Sequence, residues 1–329
     1  MLSFILKRLF IIIPMALLVI TLTWALIRIA PGSFYSGEKQ LPPAIEENIK
    51  KKYGLDKPWY SQYLLMLGNV TCRTLAEGEV TKNGLQFSIG QTTVKCFDFG
   101  DSLKYQGQSV NEIIRRHLPY SATLGILAYL LALVIGLAAG IIAALKQNSP
   151  LDYGSMALAM LGLSLPNFVL GPILVLVFAL GLHWLPPARW GNLSNVILPV
   201  ITLAAIYMAY IARLTRAGML EVMRSDYIRT ARAKGLNETP VLLKHGLRGG
   251  IIPVVSFTGP ALAGLLAGTV VVEKVFAIPG LGNIFIQAVL NRDEPLILGI
   301  VAFLSILIMI FNLAVDISYG FLDPRIRYE

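Results

Sequence analysis

The chain has 329 residues, 55% of them hydrophobic and 14% charged, with a formal net charge of +9. Soluble domains carry about 25% charged residues, so this deficit excludes an ordinary soluble domain and points to a chain that spans a membrane. The positive balance then reads as the basic bias of cytoplasmic loops, and the apolar runs argue against nucleic acid as the partner.

In chain order, six apolar runs stand out, at 9–29, 120–145, 157–180, 196–212, 251–272 and 295–315. Most reach the ~20 residues that a helix needs to cross ~30 Å of hydrocarbon. The fourth is the shortest and extends into "RLTRAG" if its arginines snorkel. Lys7 and Arg8 precede the first run, as in a cleaved signal. Its apolar core exceeds the roughly 7–15 residues of a signal, and no small-x-small cleavage site follows, so a retained first helix is expected. The expected fold is an all-α polytopic membrane protein, with six transmembrane helices and an extracytoplasmic region between helices 1 and 2. Six spans put both termini on one side. Arginine and lysine concentrate there, from Lys7 and Arg8 through Lys146 and the basic stretch 213–248 to Arg325 and Arg327. That side is therefore the cytoplasm.

The segment 30–118 opens with "LPPAIEENIKKKYGL", expected to be a proline-started helix that ends at Gly54. "DKPWYSQYLLML" follows as a second helix with an aromatic and aliphatic face. Alternating runs around Asn83-Gly84 suggest a hairpin. The only two cysteines, Cys72 and Cys96, would face an oxidising compartment. A disulfide between them would close a loop of about 25 residues and contribute ~3–4 kcal/mol in the chain-entropy description; two free thiols are the alternative. Two cysteines without a nearby histidine fall short of a metal's four ligands.

In the second span Ala128, Ala132, Gly136, Gly140 and Ala144 recur every four residues. They form a small-residue face suited to close helix packing, within the chain or against another subunit. Pro166, Pro172 and Pro260 are expected to kink spans three and five. After span four comes "SDYIRTARAKGLNETPVLLKHGLRGG", a basic stretch that reads as two short helices broken at Gly235. The residues alone leave partner docking and binding to anionic lipid equally open. Between spans five and six, Pro279, Gly280 and Gly282 force a turn in "EKVFAIPGLGNIFIQAVLNRDEP", and "NIFIQAVLN" reads as a short interfacial helix on the outer face.

Catalytic patterns are missing. No Gly-Lys dipeptide exists to build a phosphate-binding Walker loop. His117, His183 and His245 lie far apart, and there is no H-E-x-x-H or G-x-S-x-G. Glu273 and Asp316, near span ends, read as caps or ion-pair partners. Span interiors nearly free of ionisable groups argue against the rival class, a stand-alone secondary transporter or channel, and against a membrane enzyme.

Several segments together form a specific pattern: "IAPGSFYSGEKQLPP", "FDFGDSLKY", "AALKQNSPLDY", "YIRTARAKGL", "FAIPGLG" with "LNRDEP", and the terminal "DPRIRY". In order and spacing the chain resembles the inner-membrane permease subunits of ATP-binding-cassette (ABC) importers of the dipeptide/oligopeptide class, nearest to the B-type oligopeptide branch. The resemblance covers nearly the whole chain, apart from an insertion at roughly 71–96 that carries both cysteines. It implies a division into 1–29 (first span), 30–118 (periplasmic region) and 119–329 (permease core with a cytoplasmic coupling loop at 218–250).

The resemblance also assigns residues. Importer permeases carry E-A-A, three residues, Gly, nine residues, then I-x-L-P in a loop that docks on the ATPase subunit. Here Arg229, Thr230 and Ala231 stand at the first positions, Arg232, Ala233 and Lys234 follow, Gly235 holds the glycine and Leu236 comes next, with His245 and Leu247 near the end. The general Glu and Pro are absent and His replaces Ile, while the peptide-importer version "RTARAKG" is matched. Small Ala231 and Ala233 would permit close contact, and Arg229, Arg232 and Lys234 would pair with acidic rim residues. Phe276, Pro279, Gly280 and Gly282 would belong to a periplasmic gate or scoop. The implied partners are a homologous second permease, two ABC ATPase subunits that bind ATP and Mg, a periplasmic peptide-binding protein and the lipid membrane. The chain itself would hold no cofactor and no catalytic residue. The implied location is the bacterial inner membrane with both termini cytoplasmic. Oligopeptide is the favoured solute, ahead of dipeptide, murein peptide, nickel or glutathione.

Overall fold

A computed structural model of the chain describes residues 2–29, 47, 56–74, 85–89 and 92–322. Apart from Glu47, the expected helix ending at Gly54 lies outside them, as do the Asn83-Gly84 turn and the terminal "DPRIRY".

The order is α1 (Leu2–Ile29), α2 (Trp59–Val70), β1 (Cys72–Thr74), β2 (Leu85–Ile89), β3 (Thr92–Cys96), α3 (Val110–Leu145), α4 (Pro150–Ser164) and α5 (Asn167–Leu174), which runs on into a π-helical Val175–Gly181. Next come α6 (Leu193–Met223) and α7 (Asp226–Ala233). The helical stretch α8 is made of Glu238–Pro240, a π-helical Val241–Gly246 and Leu247–Gly250. The last helices are α9 (Ile252–Val275), α10 (Leu281–Leu290) and α11 (Glu294–Leu322). Among the described residues, four helices are long and apolar enough to cross a bilayer, within α1, α3, α6 and α11, and two bent pairs bring the number to six if each is one span.

Two expectations need correction, those for the third run and for the hairpin. The third apolar run is not one helix: α4 and the α5 segment meet at 108°. Pro166 cannot donate a helical hydrogen bond and holds Leu165 extended, at φ −106° and ψ 119°. The fourth run extends through "RLTRAG" as expected, and α6 continues unbroken to Met223. The helical fold carries one small sheet beside its apolar helices. The strands form an antiparallel sheet in the order β1-β3-β2, so among the described residues β2, which follows Asn83-Gly84, pairs with β3 and not with β1 before that turn, and the hairpin expected around Asn83-Gly84 is not the one these strands make.

Contacts divide the chain into two units. The larger comprises Met1–Arg8, Tyr120–Asn283 and Ile308–Glu329. Its centre is α6, with Leu203, Ala204, Ile211 and Ala212 buried. The small-residue face of α3 packs on it. Ala128 and Ala132 are fully buried. A Cβ on Gly140 would stand 2.5 Å from the Thr215 Cβ and 2.6 Å from the Ala212 carbonyl oxygen, and one on Gly136 would stand 2.8 Å from Ile211. The face is therefore consumed within the chain. Gly162 of α4 likewise sits against the Ala205 backbone, where a Cβ would collide.

The smaller unit comprises Leu9–Pro119 and Ile284–Leu307. Ile20, Val70 and Ala302 form its apolar centre with Met66 and Phe99. Asp293, fully buried, is the N-cap of α11 through the Leu296 amide at 3.3 Å. The same carboxylate accepts from the Leu103 and Lys104 amides, each at 3.1 Å, and from the Ser102 hydroxyl. Two separate motifs, "LNRDEP" and "GDSLKY", thus meet on one side chain. Tyr105 donates to Gln287 at 2.8 Å; burial first, and then the nearby Asp293 charge, raise its phenol above the ordinary tyrosine range.

Cys72 and Cys96 face each other across β1 and β3 and are joined as a disulfide, with Cα atoms 4.1 Å apart. Their replacement by serine is expected to leave the apolar helices intact and to cost the three-stranded sheet about 3 kcal/mol, the chain-entropy value for such a loop. Limited proteolysis should then cut between Asn69 and Phe97 in the variant sooner than in the native chain. Two freely alkylatable thiols in unreduced protein would contradict the bond.

Candidate functional site

The basic stretch folds into a knob. Asp226 stands in the first turn of α7, where a negative charge suits the helix N-terminus. Ile228 and Ala231, three residues apart, turn inward and are buried with Val241 of α8 against Val222. The helix ends in a Schellman arrangement: the Gly235 amide donates to the Arg232 carbonyl at 2.9 Å, and the Leu236 amide donates to the Ala231 carbonyl at 3.4 Å. Gly235 has φ +77°, and a Cβ there would meet nothing within 4 Å. Backbone conformation, not space, demands glycine at this position.

Beyond the break, α8 is seated on the end of α6. A Cβ on Gly250 would come within 3.0 Å of the Met219 Cγ, and one on Gly246 within 2.9 Å of the Met223 sulfur. Gly218 of α6 lies so close to the Gly250 carbonyl that a Cβ would collide with it. Two residues before Gly218, α6 is tied to the start of α4. Arg216 donates Nε and Nη2 to the two carboxylate oxygens of Asp152 at 2.7 and 2.8 Å, and Asp152 is 1% exposed. Asp152, from "NSPLDY", thus anchors the helix pair beneath the knob.

Of the residues assigned to coupling, Arg229, Thr230, Arg232, Ala233, Lys234, Gly235 and Leu236 are exposed on one continuous stretch. Ala231 is 7% exposed and packs in the knob's own core, not on its open face. His245 and Leu247 lie half-buried on α8. Tyr227 and Leu243 add exposed apolar surface that sequence reasoning did not single out. Glu238 was missed as well. It receives a two-pronged ion pair from Arg232, and its signal was its place directly after Asn237, a capping residue type.

A second constellation surrounds Glu273, at the end of α9 and fully buried. Its carboxyl accepts from the Ser121 hydroxyl at 2.6 Å and from the Asn283 amide at 2.9 Å, while the Ser121 oxygen accepts from the Leu281 amide at 2.7 Å. Leu281 and Asn283 are the first and third residues of α10. Glu273 and Ser121 therefore satisfy helix amides that the preceding Gly280 cannot. Gly280 and Gly282 pack directly on the Glu273 carboxyl, and any Cβ at 280 would overlap it. Phe276 is 1% exposed and its carbonyl accepts from the Arg189 amide at 2.8 Å, so it is a core residue of this turn. Asp316, the other acid near a span end, pairs with Arg8 at 3.0 Å. Among the described residues, no group of His, Cys, Asp and Glu could hold a metal ion.

Comparison with known proteins agrees in kind. Residues 136–328 match the family described as the binding-protein-dependent transport system inner membrane component. The chain is 43% identical over 330 residues to the oligopeptide transport system permease protein OppB of Haemophilus influenzae, with all of both chains covered. It is 42% identical, with the same coverage, to OppB of Escherichia coli K12. It is 39% identical over 327 residues to the dipeptide transport system permease protein DppB of Bacillus subtilis, covering 99% of this chain and 98% of that one. Among solved structures, an inward-facing MetNI methionine ABC transporter (CY5 native crystal form) aligns with a TM-score of 0.53 at 18% identity, over 64% of this chain and 97% of that chain. That likeness concerns the fold alone.

Proposed function

From the premise that the chain belongs to the family of binding-protein-dependent transport system inner membrane components, we propose that it is the permease subunit of an ATP-driven importer moving oligopeptides from the periplasm to the cytoplasm. The subunit is not itself an enzyme; hydrolysis of ATP belongs to separate ATPase chains, which bind ATP and Mg. A homologous second permease completes the membrane path, and a periplasmic binding protein delivers peptide to it. ATP binding draws the ATPases together, moves both coupling knobs and switches access from inward to outward. The bent pairs count as single spans, giving six. Residues 30–118 lie in the periplasm and both termini in the cytoplasm, a reading supported by the Arg8–Asp316 pair between the start of α1 and the end of α11.

The single observation that carries this reading is the exposed, glycine-broken knob seated on α6. A lipid-binding basic face needs no such rigid footing. Copurification with the ATPases, followed by uptake of labelled oligopeptide into proteoliposomes, tests it. ATP-independent uptake, or uptake driven by an ion gradient, would sink it. The orientation has its own expected result. In a Cys72/Cys96→Ser background, a cysteine introduced at Asp56 should react with an impermeant reagent from outside, and one at Asn237 only from inside. The opposite pattern would remove the knob from the ATPase side.

A further inference from the structure

The exposed face of the knob holds an ion pair that bridges its two short helices. Arg232 lies in the last turn of α7 and Glu238 is the first residue of α8, on either side of Gly235. Nε of Arg232 meets Oε1 of Glu238 at 2.9 Å, and Nη2 meets Oε2 at 3.1 Å. This fork-to-fork geometry fixes orientation as well as distance. Arg229, by contrast, approaches Asp226 of its own helix at 3.4 Å. Among the ion pairs of the described residues, Arg232–Glu238 is the one that crosses the break. Both helix ends favour it, since a cation suits the C-terminus of α7 and an anion the N-terminus of α8.

We propose that Arg232 and Glu238 are positioning residues, a clamp that fixes the angle between the two short helices of the knob. The inference rests on the coupling function and moves Arg232 from docking charge to internal partner. Gly235 supplies the φ that the turn requires, and it is also the softest point of the backbone. Ile228, Ala231 and Val241 hold the two helices on the inner side. On the outer side the clamp does so. α7 joins α6 through the 224–225 link and packs on Val222, while α8 is seated on α6 as well, so a push received by α7 moves α8 with it only if the knob does not fold at its hinge.

The two roles for Arg232 make opposite predictions. If Arg232 paired with an acidic rim on the ATPase, Glu238→Gln would free it to bind there, and reversing both charges would repel the partner. If it is a clamp, Arg232→Gln and Glu238→Gln share one defect and the reversed pair repairs it. The test uses the assembled importer in proteoliposomes, reading ATPase copurification, ATP hydrolysis and oligopeptide uptake. Each single neutralisation is expected to leave copurification unchanged and to lower uptake per ATP about two- to fivefold, the factor that an exposed pair is worth. R232E/E238R should recover most of that loss, short of completely because each charge then faces the unfavourable helix end. Native uptake per ATP in Glu238→Gln, or a reversed pair as poor as Arg232→Glu alone, would overturn the clamp. Failure of the unaltered chain to copurify with ATPases would instead reject the coupling function itself.

Discussion

Gly235→Val is expected to reach the membrane at the native level and to lose at least about tenfold in ATP-driven uptake. The argument is conformational. At φ +77° an L-residue pays about 1–2 kcal/mol relative to the right-handed region, and a β-branched side chain more. No atom lies within 4 Å of the new Cβ, so nothing clashes and nothing prevents the backbone from relaxing. It relaxes by rotating out of the left-handed region. That motion breaks the Gly235–Arg232 and Leu236–Ala231 bonds and carries Arg232 away from Glu238. The penalty falls on the knob and not on any apolar helix that enters the bilayer, so insertion is spared. Asparagine tolerates the left-handed region, which sets a graded series: Gly235→Asn near native, Gly235→Ala intermediate, Gly235→Val lowest. Immunoblotting of membranes alongside uptake separates coupling from expression. Native uptake by a well-inserted valine variant would contradict the assignment.

That series was foreseeable from the sequence, because a lone glycine between two short amphipathic segments has few other uses. Other features were legible only in part. The four-residue recurrence from Ala128 to Ala144 announced a close helix contact but could not name the partner; Ile211, Ala212 and Thr215 of α6 are that partner. Pro166 announced a kink. It could not announce a 108° break, which depends on Leu165 being extended and on α5 having somewhere to pack. The alternating runs around Asn83-Gly84 announced strands but named the wrong hairpin, since β2 pairs with β3, and the register that sets Cys72 opposite Cys96 belongs to the sheet as a whole.

The least legible features are contacts between polar side chains far apart in the chain. Asp293 and Ser102 are 191 residues apart, and Asp152 and Arg216 are 64 apart. Periodicity reports which face of a helix is buried but says nothing about which carboxylate meets which donor. Ala231 shows the converse error. A small residue next to exposed arginines reads as a docking surface, and only the fold reveals that Ile228 and Val241 already cover it.

Glu273→Ala is expected to abolish uptake while leaving ATPase copurification intact. The carboxyl collects the Ser121 hydroxyl and the Asn283 amide, and through Ser121 it organises the Leu281 amide. Alanine leaves these donors without an acceptor in a site that is fully buried, at about 1–3 kcal/mol for each. It also opens a void beneath Gly280 and Gly282, whose missing side chains exist to admit this carboxyl. The turn from Phe276 to Leu281 therefore loses its fixed relation to α3 and α9, and with it the shape of the proposed outer gate. Glu273→Gln separates the two contributions. Its amide fills the same volume and keeps one acceptor oxygen, so the void does not form, but one of the two donor contacts must be given up. The glutamine variant should retain part of the uptake that the alanine variant loses. The knob lies at the far end of α9 from Glu273, so ATP hydrolysis should persist in both, uncoupled from peptide movement. Equal, native uptake in both variants would show that this turn plays no part in the transport path.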